Sequence, residues 1–372
     1  MSIYKVHNKM IYWRPNTIAL ISFYTAIFAA YLGTSLISMI FASVAIFLTF
    51  RRQNISIGQS FALLLFLIFV GASLILSENN VAVLKNHRFY FGFILYYFML
   101  RAYTFDKYVS AKFFRFICYT IIVETVLVNT MISPELLPNY PIESGLETSS
   151  VLFGYIRPMS FTGNASMSAT MLVVMYYIVK TVHPGTLKMK DNVLMFINII
   201  LFMSGTGFAI YLFSIAIMFL KSRTLKIRFY IILFLTIVVS YFSFYDFSYI
   251  QKLSPAYYYH VISKKLKIGE DIYYEGRTLD NMLFGEQLVL DAPATSGDYG
   301  WNIFITVEGF IGVTIFIFLI FAFIQKKSSM KFPILLMLVG ALHYPGIFTQ
   351  AGQLLFAYAL SVKKIKYIKQ EV

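Results

Sequence analysis

Two arginines lie in polar stretches between long apolar runs. Arg157 belongs to the segment Gly-Tyr-Ile-Arg-Pro-Met-Ser-Phe-Thr-Gly-Asn, and Arg277 belongs to Glu-Gly-Arg-Thr-Leu-Asp. A guanidinium group binds a phosphate through paired hydrogen bonds and remains charged in proteins. Both arginines are therefore candidate phosphate ligands. The alternatives are a lipid-headgroup anchor for Arg157 and a surface ion pair with Glu275 or Asp280 for Arg277.

Three further titratable residues are candidates for proton transfer. Asp298 precedes an apolar run, and Glu308 lies inside that run. A carboxylate within a bilayer is costly, so Glu308 indicates a functional site, and a structural hydrogen bond to a neighbouring helix explains it equally well. The same two explanations apply to Glu124. Asp298 is a candidate general base, whereas His343, beside a Pro-Gly helix break, is a candidate acid, base or phosphate ligand or a structural histidine.

The elements that must position these residues are membrane helices. Of the 372 residues, 59% are hydrophobic and only 13% are Asp, Glu, Lys or Arg, which is about half the charged share of a soluble domain. Apolar stretches long enough to span a bilayer occur from one end to the other. The net charge of +14 comes from short Lys and Arg clusters between apolar runs. Such clusters are typical of cytoplasmic loops, so the charge does not indicate nucleic acid.

We therefore predict an all-α polytopic membrane protein with about twelve spans in a single transmembrane domain over residues 1–372, with both termini cytoplasmic. The predicted spans are two within 17–50 that turn near Gly33, then 60–76, 89–100, 116–132, 167–182, two within 193–220, 229–244, 301–324, 332–342 and 354–362.

Residues 193–220 fit either one long tilted helix or two short helices that join at 204–207. A single span would move every later basic cluster to the outside, so the positive-inside rule favours the hairpin. Under this topology two loops lie outside, at 133–166 and 245–300. The second is the large periplasmic loop, and loops of that length are usually functional or disordered.

Taken in order, these segments resemble the bacterial O-antigen polymerase and ligase superfamily. The segments that carry the resemblance are Arg157 with Gly163-Asn164, Ser204-Gly205-Thr206-Gly207, Arg277 with Leu283-Phe284-Gly285, Asp298, and Glu308-Gly309 with Gly312. The similarity is one of order and layout over residues 157–360, and the first 150 residues match only as hydrophobic spans. The chain departs from the family at Thr206, where an arginine is frequent, and at Ala165, where proline is common.

The resemblance implies a metal-independent, inverting glycosyl transfer at the periplasmic face. Arg157 and Arg277 would neutralise the leaving diphosphate. Asp298 or His343 would deprotonate the acceptor hydroxyl. Asn164, Ser204 and Glu308 would bind substrate. The loop tyrosine Tyr274 is a further candidate, because its ring can stack on a sugar, and a place in the interfacial aromatic belt is the alternative for such tyrosines.

The expected substrate is an oligosaccharide on undecaprenyl diphosphate, used without a cofactor or metal by a multi-pass protein of the bacterial inner membrane. A chain-length regulator is an open partner, besides the lipid bilayer. Ligases, which transfer glycan to lipid A–core, typically have histidine where this chain has Asp298, and this difference favours a polymerase. A flippase or transporter is the other alternative, but such proteins usually have internal repeats and short outside loops, and neither is found here.

Overall fold

The computed structural model describes residues 17–49, 55–77, 80–102, 109–130, 151–152, 155–220, 279–285, 300–324, 330–342 and 346–362. Its helices are α1 (Thr17–Tyr31), α2 (Ser35–Thr49), α3 (Ile57–Leu76), α4 (Asn80–Phe91), α5 (Phe93–Ala102), α6 (Ala111–Thr130), α7 (Ala165–Val182), α8 (Met189–Leu201), α9 (Gly205–Leu220), α10 (Leu279–Phe284), α11 (Gly300–Phe323), α12 (Lys331–Gly340) and α13 (Gln350–Ser361). Two short antiparallel strands, β1 (Val151–Leu152) and β2 (Tyr155–Ile156), lie between α6 and α7. Short 3-10 turns occupy Ser160–Thr162 and Gly346–Phe348.

Helix is thus the main secondary structure of the described residues, as the composition predicts. By length and composition alone, three stretches could cross a membrane, namely Ile57–Leu76, Ala165–Val182 and Ile303–Phe323, the last of which is interrupted at Gly309. Shorter apolar helices accompany them, including α1, α2 and α12. The number of spans and the side of each terminus remain predictions. The predicted span 229–244 and most of the predicted outside loops lie beyond the described residues.

The two predicted hairpins are both present. The α1–α2 pair turns at Gly33, whose φ of +73° is one that glycine adopts without strain. Residues 193–220 form two helices, because α8 ends and α9 begins on either side of a turn at Met203 with a φ of 43°. The rings of Phe196 and Tyr211 then meet at 6.1 Å across the pair. The charge pattern therefore predicted this region correctly.

Helix α7 runs through the centre of the helix assembly, and nearly all of its side chains are buried. Its first turns carry small residues, namely Ala165, Ser166, Ser168, Ala169 and Thr170, which allow other helices to approach closely. A methyl group added to Gly207 of α9 would lie 2.3 Å from the Cβ of Ala169, and one on Gly340 of α12 would lie 2.5 Å from the Thr170 methyl group. Close glycine and alanine contacts therefore hold α9 and α12 against α7.

Helix α11 differs from the single span that the sequence predicts over 301–324. Gly309 has φ 66° and ψ −177°, which interrupts the helix. The ring of Phe316 lies 5.9 Å from that of Trp301 and 5.2 Å from that of Phe304. Residues so far apart along a straight helix cannot touch. The first segment of α11 is therefore folded back beside the second, and only a glycine-like backbone conformation permits that reversal.

An ion pair joins α6 to α8 at one end of the assembly. The guanidinium of Arg115 donates two hydrogen bonds to Asp191, of 2.6 and 2.8 Å. Both residues precede the apolar runs 116–132 and 193–220. The hydrogen bonds from Arg115 hold the pKa of the Asp191 carboxyl below its usual value. The paired geometry fixes the positions of the two helices relative to each other.

Candidate functional site

The segment around Arg157 is held to α6 at two points. The Asn129 amide donates to the carbonyl of Ile156 at 2.8 Å, and its oxygen accepts from the Ile156 N–H at 2.8 Å. The carboxylate of Glu124 accepts from the N–H groups of Met159 and Ser160 at 3.0 and 2.9 Å. The half-buried Arg157 lies between these two attachments. Its backbone is therefore fixed, and the half-buried carboxylate of α6 is explained as an anchor.

The same segment is fastened to the start of α7. The Asn164 oxygen caps α7 by accepting from Ser166 N–H at 2.9 Å and Met167 N–H at 3.2 Å. The Ser168 hydroxyl donates to the carbonyl of Met159 at 2.6 Å. Asn164 therefore has a positioning function through its oxygen. The cap uses only the side-chain oxygen of Asn164, so its NH2 group can still donate to a substrate. That contact with substrate remains a prediction.

Two of the segments that carried the resemblance meet at this point. The hydroxyl of Ser204 donates to the Ser166 hydroxyl at 3.0 Å and accepts from the Gly207 N–H at 3.1 Å. Ser204 is only 1% exposed. The turn before α9 is thus joined to the helix start that follows Arg157. In this arrangement Ser204 acts as a buried connection, and its predicted role in substrate binding stays a prediction.

Two further segments, 283–285 and 308–312, also pack together, and they do so backbone against backbone. A Cβ atom at Gly309 would lie 2.3 Å from the carbonyl oxygen of Leu283, and one at Gly285 would lie 2.0 Å from that of Val307. Both glycines have positive φ, at 66° and 82°. The turn that ends α10 therefore fits into the interruption of α11, and no side chain larger than hydrogen is compatible with this fit.

Glu308, immediately before the interruption, is fully buried and faces a histidine. The Nδ1 atom of His87 lies 2.8 Å from Oε2 of Glu308, and the two side chains are 5% and 0% exposed. The ring of Phe69 lies 5.2 Å from the His87 ring. A Cβ at Gly312 would lie 2.6 Å from the Glu308 Cβ. The structural explanation of Glu308, a contact with a neighbouring helix, is therefore present as its contact with His87 of α4.

His87 was not identified from the sequence as a partner for Glu308. It lies in α4, far from Glu308 in the chain, within the polar run Lys85-Asn86-His87-Arg88. That polar run inside an otherwise apolar helix was an available signal. Because a buried carboxylate requires a partner, a histidine on a neighbouring helix was the side chain to look for.

Four of the predicted site residues lie outside the described residues: Arg277, Asp298, His343 and Tyr274. The helices that follow two of them are described, however. Arg277 shortly precedes α10 and Asp298 shortly precedes α11, and these two helices pack against each other. Within the described part of the chain, no group of three His, Cys, Asp or Glu side chains is arranged to hold a metal.

Comparison with protein-family models, with curated proteins and with solved structures gives no match to this chain. The resemblance stated above therefore depends on the quoted segments alone. In the structure these segments form two packed pairs, 157–164 with 204–207 and 283–285 with 308–312. The first pair holds a guanidinium on a fixed backbone, which is suited to binding a phosphate or diphosphate.

Proposed function

We propose that this chain is a membrane glycosyltransferase of the O-antigen polymerase type, acting at the periplasmic face of the bacterial inner membrane. It would join repeat units that are linked to undecaprenyl diphosphate. The observation that supports this proposal most is the fixed segment around Arg157. Glu124 and Asn129 hold its backbone to α6, and Ser168 holds it to α7. Such rigidity is what electrostatic stabilisation of a leaving group requires.

The proposed reaction transfers the growing chain to a new repeat unit. The bond between the anomeric carbon and the diphosphate oxygen breaks, and the electron pair leaves with the diphosphate. A hydroxyl of the acceptor sugar forms the new bond to that carbon and gives up its proton. Arg157 and Arg277 would stabilise the charge that develops on the diphosphate. Asp298 or His343 would take the proton.

Glu308 is less suited to be that base. It is 0% exposed and lies against His87, so an acceptor sugar could reach its carboxylate only if α4 and α11 separated. We assign to Glu308 the role of holding the interruption of α11 in place. The interruption sets the direction of the first segment of α11, which Asp298 shortly precedes in the chain. Glu308 thus contributes to the proposed site through the backbone that it fixes.

The test is a gel of lipopolysaccharide from a strain that lacks this gene, complemented with variants of the chain. The wild type and Lys112→Ala, an exposed basic residue of α6, are expected to restore the long ladder. Arg157→Ala and Arg277→Ala are expected to leave lipid A–core with a single repeat, at equal amounts of protein in the membrane. Loss of one charge-assisted contact in the transition state lowers the rate about 100-fold or more.

Other results would assign the protein elsewhere. If the deletion strain also loses the single-repeat band, the missing activity is that of a ligase or a flippase. Undecaprenyl-linked glycan would then accumulate outside the inner membrane for a ligase and inside for a flippase. A full ladder from both arginine variants would refute the role of the arginines.

A further inference from the structure

Two cavities of different chemistry adjoin at the edge of the Arg157 segment. The first, which we name the apolar cavity, has a volume of about 800 Å³ and lies between α1 and α6. The second, the basic cavity, has a volume of about 360 Å³ and lies beside α4 and the start of α13. Gly33 and Phe161 line both cavities. The two volumes therefore meet at the turn between α1 and α2.

The apolar cavity is bordered by residues that lie at the surface of the protein. Exposed aromatic side chains form its rim, with Tyr24 54%, Phe28 67% and Phe116 63% exposed. In a membrane protein such a rim faces the hydrocarbon of the bilayer. The polar residues of the lining include Glu124 and Ser160, which already belong to the attachment of the Arg157 segment. An apolar chain can thus enter from the lipid and extend toward that segment.

The basic cavity contains two cations from one face of α4. Lys85 and Arg88 are one helical turn apart and both are exposed. Within the described ranges, neither lies within ion-pair distance of a carboxylate, and the lining of this cavity includes no acidic side chain. Its other polar residues include Ser35 and Gln350, whose hydroxyl and side-chain amide can donate hydrogen bonds. A site with two cations and two neutral donors favours a multiply charged anion.

We propose that the two cavities together form a binding site for a polyprenyl diphosphate. Its isoprenoid chain would lie in the apolar cavity, and its diphosphate would contact Lys85 and Arg88. Both volumes are in the range of ligand cavities, about 300–1,000 Å³. Phe161 and Thr162, which follow Arg157 in the chain, line the basic cavity, so the head group lies beside the Arg157 segment. The inference rests on the proposed function and identifies where its lipid-linked substrate is held.

Binding is tested with the purified full-length chain in nanodiscs of phosphatidylcholine, using a polyprenyl diphosphate that carries a photoreactive group on its chain. The wild-type chain is expected to become cross-linked at α1 and α6. Lys85→Gln/Arg88→Gln is expected to bind the lipid at least about tenfold more weakly. The matched control Lys112→Gln/Lys190→Gln removes two exposed positive charges elsewhere and is expected to bind like the wild type.

The apolar cavity is tested separately by Thr120→Trp, which places a large ring into its lining. This variant is expected to lose cross-linking at α1 and α6. If this variant fails to fold, the map of cross-links in the wild-type chain still shows whether the isoprenoid chain lies in the apolar cavity. Cross-links that avoid both helices would overturn the inference.

Three further results would overturn the proposed site. Phosphatidylglycerol that competes as strongly as the polyprenyl diphosphate would indicate a general site for anionic lipids. Inorganic diphosphate that competes as strongly would mean that the apolar cavity contributes nothing. Undiminished binding by Lys85→Gln/Arg88→Gln would exclude the two cations.

The inference and the proposed function can fail separately. A chain that binds the lipid in this site but yields no polymer would support the inference and refute the polymerase. If the wild-type chain yields polymer and the Lys85→Gln/Arg88→Gln variant binds the lipid as tightly as the wild type, the polymerase is supported and the binding site is refuted.

Discussion

Helices α3 and α7 are both long enough to span a membrane, yet their surroundings are opposite. The most apolar stretch of α3 has a mean hydropathy of 2.4, and 22% of its residues are buried within the protein. That of α7 has a mean hydropathy of 1.4, and 89% of its residues are buried. The more apolar helix is therefore the more peripheral one. Lipid accommodates leucine and phenylalanine as well as protein does, so a central helix is distinguished by small and hydroxylated residues that pack closely.

This difference has a consequence for the proposed site. The Arg157 segment is attached to α7, because its Asn164 caps that helix and Ser168 of α7 donates to the carbonyl of Met159. Ser166, which contacts Ser204, also belongs to α7. Helix α3 has an inward region, in which Gln59 donates to the Tyr97 hydroxyl at 2.9 Å and Phe69 packs against His87. Changes around α7 and at that inward region should thus be costly, and changes elsewhere on α3 should be mild.

The largest effect on stability is expected at the pair formed by His87 of α4 and Glu308 of α11, which lies against the inward region of α3. Glu308→Leu leaves a buried histidine without its partner, and His87→Phe leaves a buried carboxylate. Breaking a buried pair costs about 3–5 kcal/mol. Each single variant should therefore lower the thermal unfolding midpoint of the detergent-solubilised protein strongly.

The double variant His87→Phe/Glu308→Leu serves as the control for this pair. It removes both polar groups and should be more stable than either single variant. Additive losses in the three variants would show that the two side chains do not interact.

A second, intermediate effect compares two glycines directly. Gly207→Ala forces a Cβ to within 2.3 Å of Ala169 on α7, whereas Gly71→Ala on α3 adds a Cβ that meets no other atom within 4 Å. Overpacking costs about 1–3 kcal/mol, and alanine is the better helix former at an unconstrained position. The midpoint should fall for Gly207→Ala and stay constant or rise for Gly71→Ala. Equal shifts in both variants would contradict the comparison.

The smallest of these effects on stability is expected at Glu124. This residue lies in α6 and holds the Arg157 segment, which is also attached to α7. Glu124→Ala removes the acceptor of two backbone N–H groups, each bond being worth about 1 kcal/mol. The ladder in the complemented strain should shorten although the protein still accumulates. Thr130→Ala, which removes a hydroxyl bonded within the same helix, is the matched control. Normal chain lengths from Glu124→Ala would show that this anchor is not needed.

The apolar runs and basic clusters predicted much of the fold. They predicted the turn at Gly33 and the division of residues 193–220 into two helices. The fold-back at Gly309 was missed, because hydropathy alone does not distinguish a reversing helix from a straight one. The decisive contact is made by the backbone of Leu283, and a sequence pattern carries no signal for backbone-to-backbone packing.

The candidate site was predicted in part. Arg157 and Glu308 were identified from their charge in an apolar chain. The partners that hold them, Asn129 and Glu124 for the first and His87 for the second, are distant in sequence. Glu124 was noticed, but its function as an anchor could not be predicted, since its acceptor role depends on the loop that returns to α6. Spacing along the chain does not encode such long-range pairs.

The most direct test of the proposed function is reconstitution. The purified chain is placed in liposomes with a synthetic repeat unit on undecaprenyl diphosphate, and the products are separated by gel and by mass spectrometry. We expect a ladder of polymer on the lipid together with release of free undecaprenyl diphosphate, and neither product from Arg157→Ala. Lipid-linked units that remain single, whether unchanged or moved across the bilayer, would contradict the assignment of this chain as a polymerase.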